Sequence, residues 1–188
     1  KNPVQLVNKP SDFKKFDALI LPGVGAFDPA MECLTNNKMT EEIKDWVKEK
    51  KPLLGICLGL QLMFESSEEG SSPGLGLLKG HVKKLPKNKT ERIPHMGWAP
   101  LEKLNNCPLL EKNEAAEWMY FVHSYAAIPN DKKNLVAAAP FGDLKVTAIV
   151  WKERIGACQF HPEKSAKAGH EMLLRWLKWL KDDAKPQF

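Results

Sequence analysis

The run Leu53-Leu54-Gly55-Ile56-Cys57-Leu58-Gly59-Leu60-Gln61 is the most informative in the chain. Residues 52–56 are continuously apolar, as a strand buried on both faces of a parallel sheet must be. Residues 58–65 read as helical. Between the two stands a cysteine with glycines two before and two after it, the strand-turn-helix pattern of a nucleophile elbow with Cys in place of Ser. Such a sharp turn strains the backbone and packs closely, so its neighbours must lack side chains. At a helix N-terminus the thiol also meets unpaired amides and the positive end of the dipole, which favour thiolate. A buried structural cysteine would fit this segment taken alone.

Outward from the elbow, short runs rich in Val, Ile and Leu alternate with helical stretches, the pattern of an α/β sheet. Residues 4–7 and 17–21 read as strands, the latter ending on Pro22-Gly23, and residues 39–50 as a helix. From 68 to about 100, Gly, Ser and Pro cluster, which predicts turns and hairpins. Residues 118–122, 135–139, 145–151 and 155–160 read as further strands, with an antiparallel group among them. The last helix is the clearest: Ser165 is placed as its N-cap, and Met172, Leu173, Trp176, Leu177 and Leu180 share one stripe. The charged tail 181–188 is expected to fray.

At 188 residues the chain is read as one domain, residues 1–188, with a core of its own. No apolar run approaches the ~20 residues needed to span a bilayer, so it reads as soluble with no membrane partner. The net charge of +5 is spread over lysines mixed with acids, as on solvated helix faces, and no aromatic-basic motif points to nucleic acid. A diffuse basic surface is still compatible with phosphorylated metabolites. Cys33, Cys57, Cys107 and Cys158 lie far apart, without metal-ligand or disulfide-framework spacing, so neither a metal nor another cofactor is expected. A reducing compartment follows, cytoplasmic or an organelle stroma.

Near the other end, Gln159-Phe160-His161-Pro162-Glu163-Lys164-Ser165 follows a strand and precedes a helix. If the strands run parallel, His161 reaches the sheet edge that carries Cys57, where open α/β sheets place their sites. An imidazole can take the thiol proton and return it to a leaving amine, and Glu163 can orient the ring. Only a turn at Pro162 that sends both side chains inward permits this. A third motif, Leu21-Pro22-Gly23-Val24-Gly25-Ala26-Phe27, is a glycine-rich turn after a strand. It lacks the phosphate-binding patterns, and suits an oxyanion hole in which an amide near Val24 or Gly25 joins that of Leu58.

Together these motifs resemble class I, or triad, glutamine amidotransferases, and within them the glutaminase subunits of imidazole glycerol phosphate synthases. The resemblance rests on PGVGAF at 22–27, GICLGLQLMFESSEEG at 55–70, PHMGW at 94–98, YFVHSY at 120–125 and QFHPEKS at 159–165. Relatives such as the anthranilate and carbamoyl phosphate amidotransferase domains typically carry His where this chain has Leu60, which favours the histidine-pathway branch. The resemblance implies a three-layer α/β fold with an open mixed sheet and hydrolysis of L-glutamine through a Cys57 thioester. It also implies ammonia delivery to a cyclase with a (β/α) barrel fold, as a heterodimer serving histidine biosynthesis. Activity would be low until docking sets the PGVG peptide. It implies that Gly25, Gln61, Ser124 and Tyr125 hold the glutamine, and that Trp98, Tyr120 and Lys164 lie at the partner interface, an arginine of the partner being a reasonable contact for Trp98. Gln61 is also explicable as a helix residue satisfying backbone, and Trp98 as core; His123 reads as structural. Family members open with a strand and helix before the point where this chain begins. About 25 residues of a βαβ unit are thus expected to be lacking, leaving an open sheet edge. Two other readings stay open: a standalone cysteine hydrolase of γ-glutamyl peptides, and a non-catalytic interaction domain.

Overall fold

Leu53 and Leu54 are neighbours in sequence and enter different cores. The computed structural model, which describes residues 4–87, 90–111 and 116–186, shows why: successive side chains of a strand leave opposite faces of a sheet, and here both faces are covered. The strands are β1 (Leu19–Gly23), β2 (Leu53–Cys57), β3 (Ser66–Ser67), β4 (Gly80–Lys84), β5 (His95–Pro100), β6 (Glu102–Lys103), β7 (Trp118–His123), β8 (Tyr125–Pro129), β9 (Leu135–Phe141), β10 (Leu144–Lys152) and β11 (Ile155–Cys158). The helices are α1 (Phe27–Asn36), α2 (Met39–Lys48), α3 (Leu58–Leu62) and α4 (Ala166–Lys181). The main sheet runs β1-β2-β11-β10-β9-β6 among the described residues. β1, β2 and β11 are mutually parallel, and the remaining pairs are antiparallel, giving the mixed sheet expected.

Leu53, Val150 and Ala157 pack with Phe27, Met31, Ile43 and Trp46 of α1 and α2. Leu54, Trp151 and Cys158 pack with Met172, Trp176 and Trp179 of α4. Helices therefore cover both faces in three layers. Burying a large apolar side chain of this kind stabilises by about 1.5–3 kcal/mol, which is why the apolar runs at β2 and β11 mark central strands.

Several expectations need correction. Residues 4–7 are not a strand. Val4 and Leu6 are each 85% exposed and lie outside every sheet; apolar content does not supply the pairing partner that a strand's backbone requires. β1 stands at the edge of the main sheet, where Pro22, lacking a donor, is tolerated. The expected hairpins between 68 and 100 are not local: β4 pairs with β8 and β5 with β7. The helix after the elbow is short, ending at Leu62, and α1 was not expected at all. Ser165 does occupy the N-cap of α4 but caps nothing. Its hydroxyl donates to the His161 carbonyl (2.6 Å) and accepts from the Tyr120 amide (2.9 Å). The tail does not fray before residue 186: Ala184 is buried, and Trp179 Nε1 donates to the Lys185 carbonyl at 3.0 Å; residues 187–188 lie outside the described residues. No helix of the described residues is long and apolar enough to cross a membrane.

Candidate active site

Cys57 ends β2 and begins α3 with φ 53° and ψ −109°. A non-glycine residue held there costs on the order of 1–3 kcal/mol, which the surrounding packing must offset. The flanking glycines allow it. A Cβ at Gly59 would lie 1.8 Å from the Leu21 carbonyl oxygen, and one at Gly55 would lie 2.8 Å from Met63 Sδ. The turn therefore brings α3 against β1 as well as β2.

His161 follows β11, the strand parallel to β2 on its other side. The short 3-10 turn Pro162–Lys164 swings Glu163 back, so that His161 Nδ1 stands 2.7 Å from Glu163 Oε1. The carboxylate can only accept, so Nδ1 carries the proton and Nε2 is left as the base. His161 is 3% exposed, whereas the Glu163 side chain is 55% exposed, so solvent screens the carboxylate while the ring stays fixed. The His161 amide also donates to the Tyr120 carbonyl at 3.0 Å.

Cys57 and His161 line one cavity of about 340 Å³. Val24, Gly25 and Leu58 line it too, as do Gln61, Ser124 and Tyr125. The structure thus brings all the anticipated triad, oxyanion and substrate residues together, with Glu163 behind His161. Gly25 has φ +100° with open space around it, so the Val24–Gly25 peptide is held by no side-chain packing at that Cα. Gln61 does satisfy backbone, as its structural reading expects: its Nε2 donates to the Tyr125 carbonyl (3.1 Å), and also to Gln159 Oε1 (3.2 Å).

The thiol is less acidic than the helix-terminus argument expects. Burial pushes Cys57 up to about 11, outweighing the Leu58 amide and the Gln159 side chain, which both favour thiolate. α3 spans only five residues, and burial of a charge in a low-dielectric site exceeds what a short helix supplies. Burial thus favours the neutral thiol at Cys57.

Glu69, His123 and Pro94 also line the cavity, and the sequence marks none of them as functional. Glu69 Oε2 accepts the Phe27 amide at 2.9 Å, fixing a carboxylate at the cavity wall. Its position in an acid-rich turn carries no periodicity that could orient it. His123 is buried: Nδ1 lies 2.8 Å from the Tyr125 carbonyl and Nε2 lies 3.1 Å from His95 Nδ1. Burial lowers its pKa to about 4, which agrees with a structural rather than a proton-transfer part.

Trp98 and Tyr120 face each other across the β5–β7 pair, ring centroids 6.0 Å apart and edge to face. Trp98 is 49% exposed and so is not core. Met96 and Trp118 are exposed on the same two strands, and Lys164 is exposed on the turn after His161.

An elbow cysteine, an imidazole held by a carboxylate and a shared cavity at the edge of an open α/β sheet are the arrangement that acyl-transfer chemistry through a thiol requires. Residues 2–179 match the family described as glutamine amidotransferase class-I. The chain is 63% identical over 183 residues to imidazole glycerol phosphate synthase subunit HisH 2 of Prochlorococcus marinus (strain MIT 9313), covering 97% of this chain and 86% of that one. It is 60% identical over 181 residues to subunit HisH of Synechococcus sp. (strain CC9605), covering 96% and 85%. The chain belongs to the class I glutamine amidotransferases, in their HisH branch. Among solved structures, a glutamine amidotransferase is similar at a TM-score of 0.66 and 20% identity, covering 95% of this chain and 84% of that one. The glutaminase domain of Trypanosoma brucei CTPS is similar at 0.56 and 17%, covering 90% and 74%. At those identities the likeness speaks for the fold alone.

Proposed function

We propose that this chain is the glutaminase subunit of an imidazole glycerol phosphate synthase, which hydrolyses L-glutamine and passes the ammonia to a cyclase partner. The observation that carries this is the shared cavity, lined by both Cys57 on its elbow and His161, whose Nδ1 is engaged by Glu163 so that Nε2 is left as the base. Because Cys57 rests as a thiol, forming the free thiolate near neutral pH would cost roughly 5 kcal/mol. Proton transfer to His161 Nε2 therefore accompanies attack on the bound carboxamide. The C–S bond forms, and the oxyanion is taken by the Leu58 amide and an amide of Val24 or Gly25. His161 returns the proton to the departing nitrogen, the C–N bond breaks and ammonia leaves a Cys57 thioester. Water, deprotonated by His161, then attacks the thioester carbon, the C–S bond breaks, and His161 returns the proton to the Cys57 sulfur as glutamate leaves.

Gln61, Ser124 and Tyr125 orient the substrate, and the Glu69 carboxylate suits its α-ammonium group. Ammonia leaves toward the face of Trp98, Tyr120 and Lys164, where a (β/α) barrel cyclase docks to form the heterodimer. Exposed aromatics beside apolar neighbours are the usual anchors of such an interface. Four free cysteines, one of them the nucleophile, suit a reducing compartment, the cytoplasm or an organelle stroma. A glutamine analogue with an electrophilic side chain, applied in the presence of the cyclase, should add one equivalent to the chain, at Cys57 by peptide mapping. Labelling elsewhere, or none, would remove the thioester route.

A further inference from the structure

Gln159 follows β11, and its side chain is fully buried. It lies between two residues of the cavity, with Nε2 3.8 Å from Cys57 Sγ and Oε1 3.2 Å from Gln61 Nε2. A side-chain amide can be turned over without changing its shape, so its orientation must follow from its partners. Here one obligate acceptor fixes it. The Tyr125 carbonyl cannot donate, so Gln61 must turn its NH2 toward it; the same NH2 reaches Gln159, which must answer with its oxygen. The NH2 of Gln159 is then committed to the Cys57 sulfur. The second lone pair of the Tyr125 carbonyl is occupied by His123 Nδ1–H, whose Nε2 in turn accepts from His95 Nδ1–H. Each link of this chain thus has a donor facing an acceptor, and such buried networks resist reorientation of any one member.

We propose that Gln159 is a catalytic residue of the glutaminase reaction, its Nε2–H group binding the Cys57 sulfur as negative charge develops on it. This rests on the glutaminase reading above. Toward a neutral thiol the contact is weak, and 3.8 Å is long even for sulfur. As the proton passes to His161 during attack the sulfur gains negative charge, the contact shortens, and the bond acquires most of its strength in a buried setting. An interaction stronger in the transition state than in the ground state raises kcat rather than lowering KM. Together with the Leu58 amide it opposes the burial that holds the thiol neutral.

The test uses the chain docked with its cyclase and two substitutions. Gln159→Met keeps length and packing while removing the donor; Gln159→Glu keeps an oxygen for Gln61 but sets a carboxylate where the donor stood. For both, kcat should fall by about 10- to 100-fold, the range of one charge-assisted hydrogen bond. KM for glutamine should change little in Gln159→Glu, which retains the contact to Gln61. The pH dependence of Cys57 alkylation by iodoacetamide should move to higher pH in both, further in Gln159→Glu. An unchanged alkylation profile in a folded variant, whatever happens to kcat, overturns the proposal, as does a loss confined to KM. Alkylation requires no glutamine, so if the wild-type complex released no ammonia, the functional reading would fail while the Gln159–Cys57 contact was still being measured.

Discussion

His123 carries a proton problem that sets part of the stability. Its imidazole is buried against His95 and the Tyr125 carbonyl, and burial lowers its pKa from 6.5 to about 4. Between those values the unfolded chain binds more protons than the folded one, so stability is complete above pH 6.5 and is lost as pH falls toward 4, by up to about 3 kcal/mol. Denaturant titrations at pH 7 and pH 5 should show this loss, and His123→Gln should flatten the dependence. Glu69 belongs to the same cavity wall with a different task. If it holds the substrate ammonium, Glu69→Gln should raise KM for glutamine about tenfold or more with kcat nearly unchanged, whereas a fall confined to kcat would assign it elsewhere. Cys57, His161 and Glu163 were legible because each sits at a marked turn, a glycine pair for one and Pro162 for the others. Glu69 and Gln159 were not, since their meaning lies in which backbone amide or sulfur the fold sets beside them.

The elbow between β2 and α3 depends on Gly59, whose missing Cβ lets α3 touch the Leu21 carbonyl of β1. Gly59→Ala should destabilise by about 3 kcal/mol or more and abolish ammonia release in whatever fraction folds, because relieving the clash displaces Cys57. Thermal denaturation and activity together check it. α4 is tied down by Arg175, which bonds the Leu109 carbonyl at 2.7 Å and the buried carboxylate of Glu117. Arg175→Met should cost about 3–5 kcal/mol by stranding that carboxylate, and Arg175→Met with Glu117→Gln should recover part of the loss in the same melts. The central strands were readable from the chain since burial on both faces leaves nothing but apolar residues. α1 was hidden because Pro29 lies in its first turn and only Phe27 and Met31 are buried. The short strands β4 and β5 took partners far along the chain, and pairing over such distances leaves no mark in local periodicity.

The molecule as a whole places its chemistry close behind an exposed surface. The Tyr120 carbonyl accepts the His161 amide, while the Tyr120 ring lies beside Trp98 on the outer face of the β5–β7 pair. A partner docked on that face, as proposed, would therefore bear on the backbone bonded to His161. Trp98→Ala should weaken cyclase binding by about 2 kcal/mol or more, read by titration calorimetry, while leaving the melt of the isolated chain unchanged. The family resemblance is what points to this face; composition alone could not, since an exposed tryptophan looks in sequence like any other. The central claim is that glutamine hydrolysis at Cys57 serves a docked cyclase, and ammonia release from glutamine with and without that cyclase measures it. Release should be slow for the chain alone and rise by about 100-fold or more on docking, the effect of adding one oxyanion-hole hydrogen bond. Rapid release that the cyclase leaves unchanged, or a preference for γ-glutamyl peptides over glutamine, would contradict it.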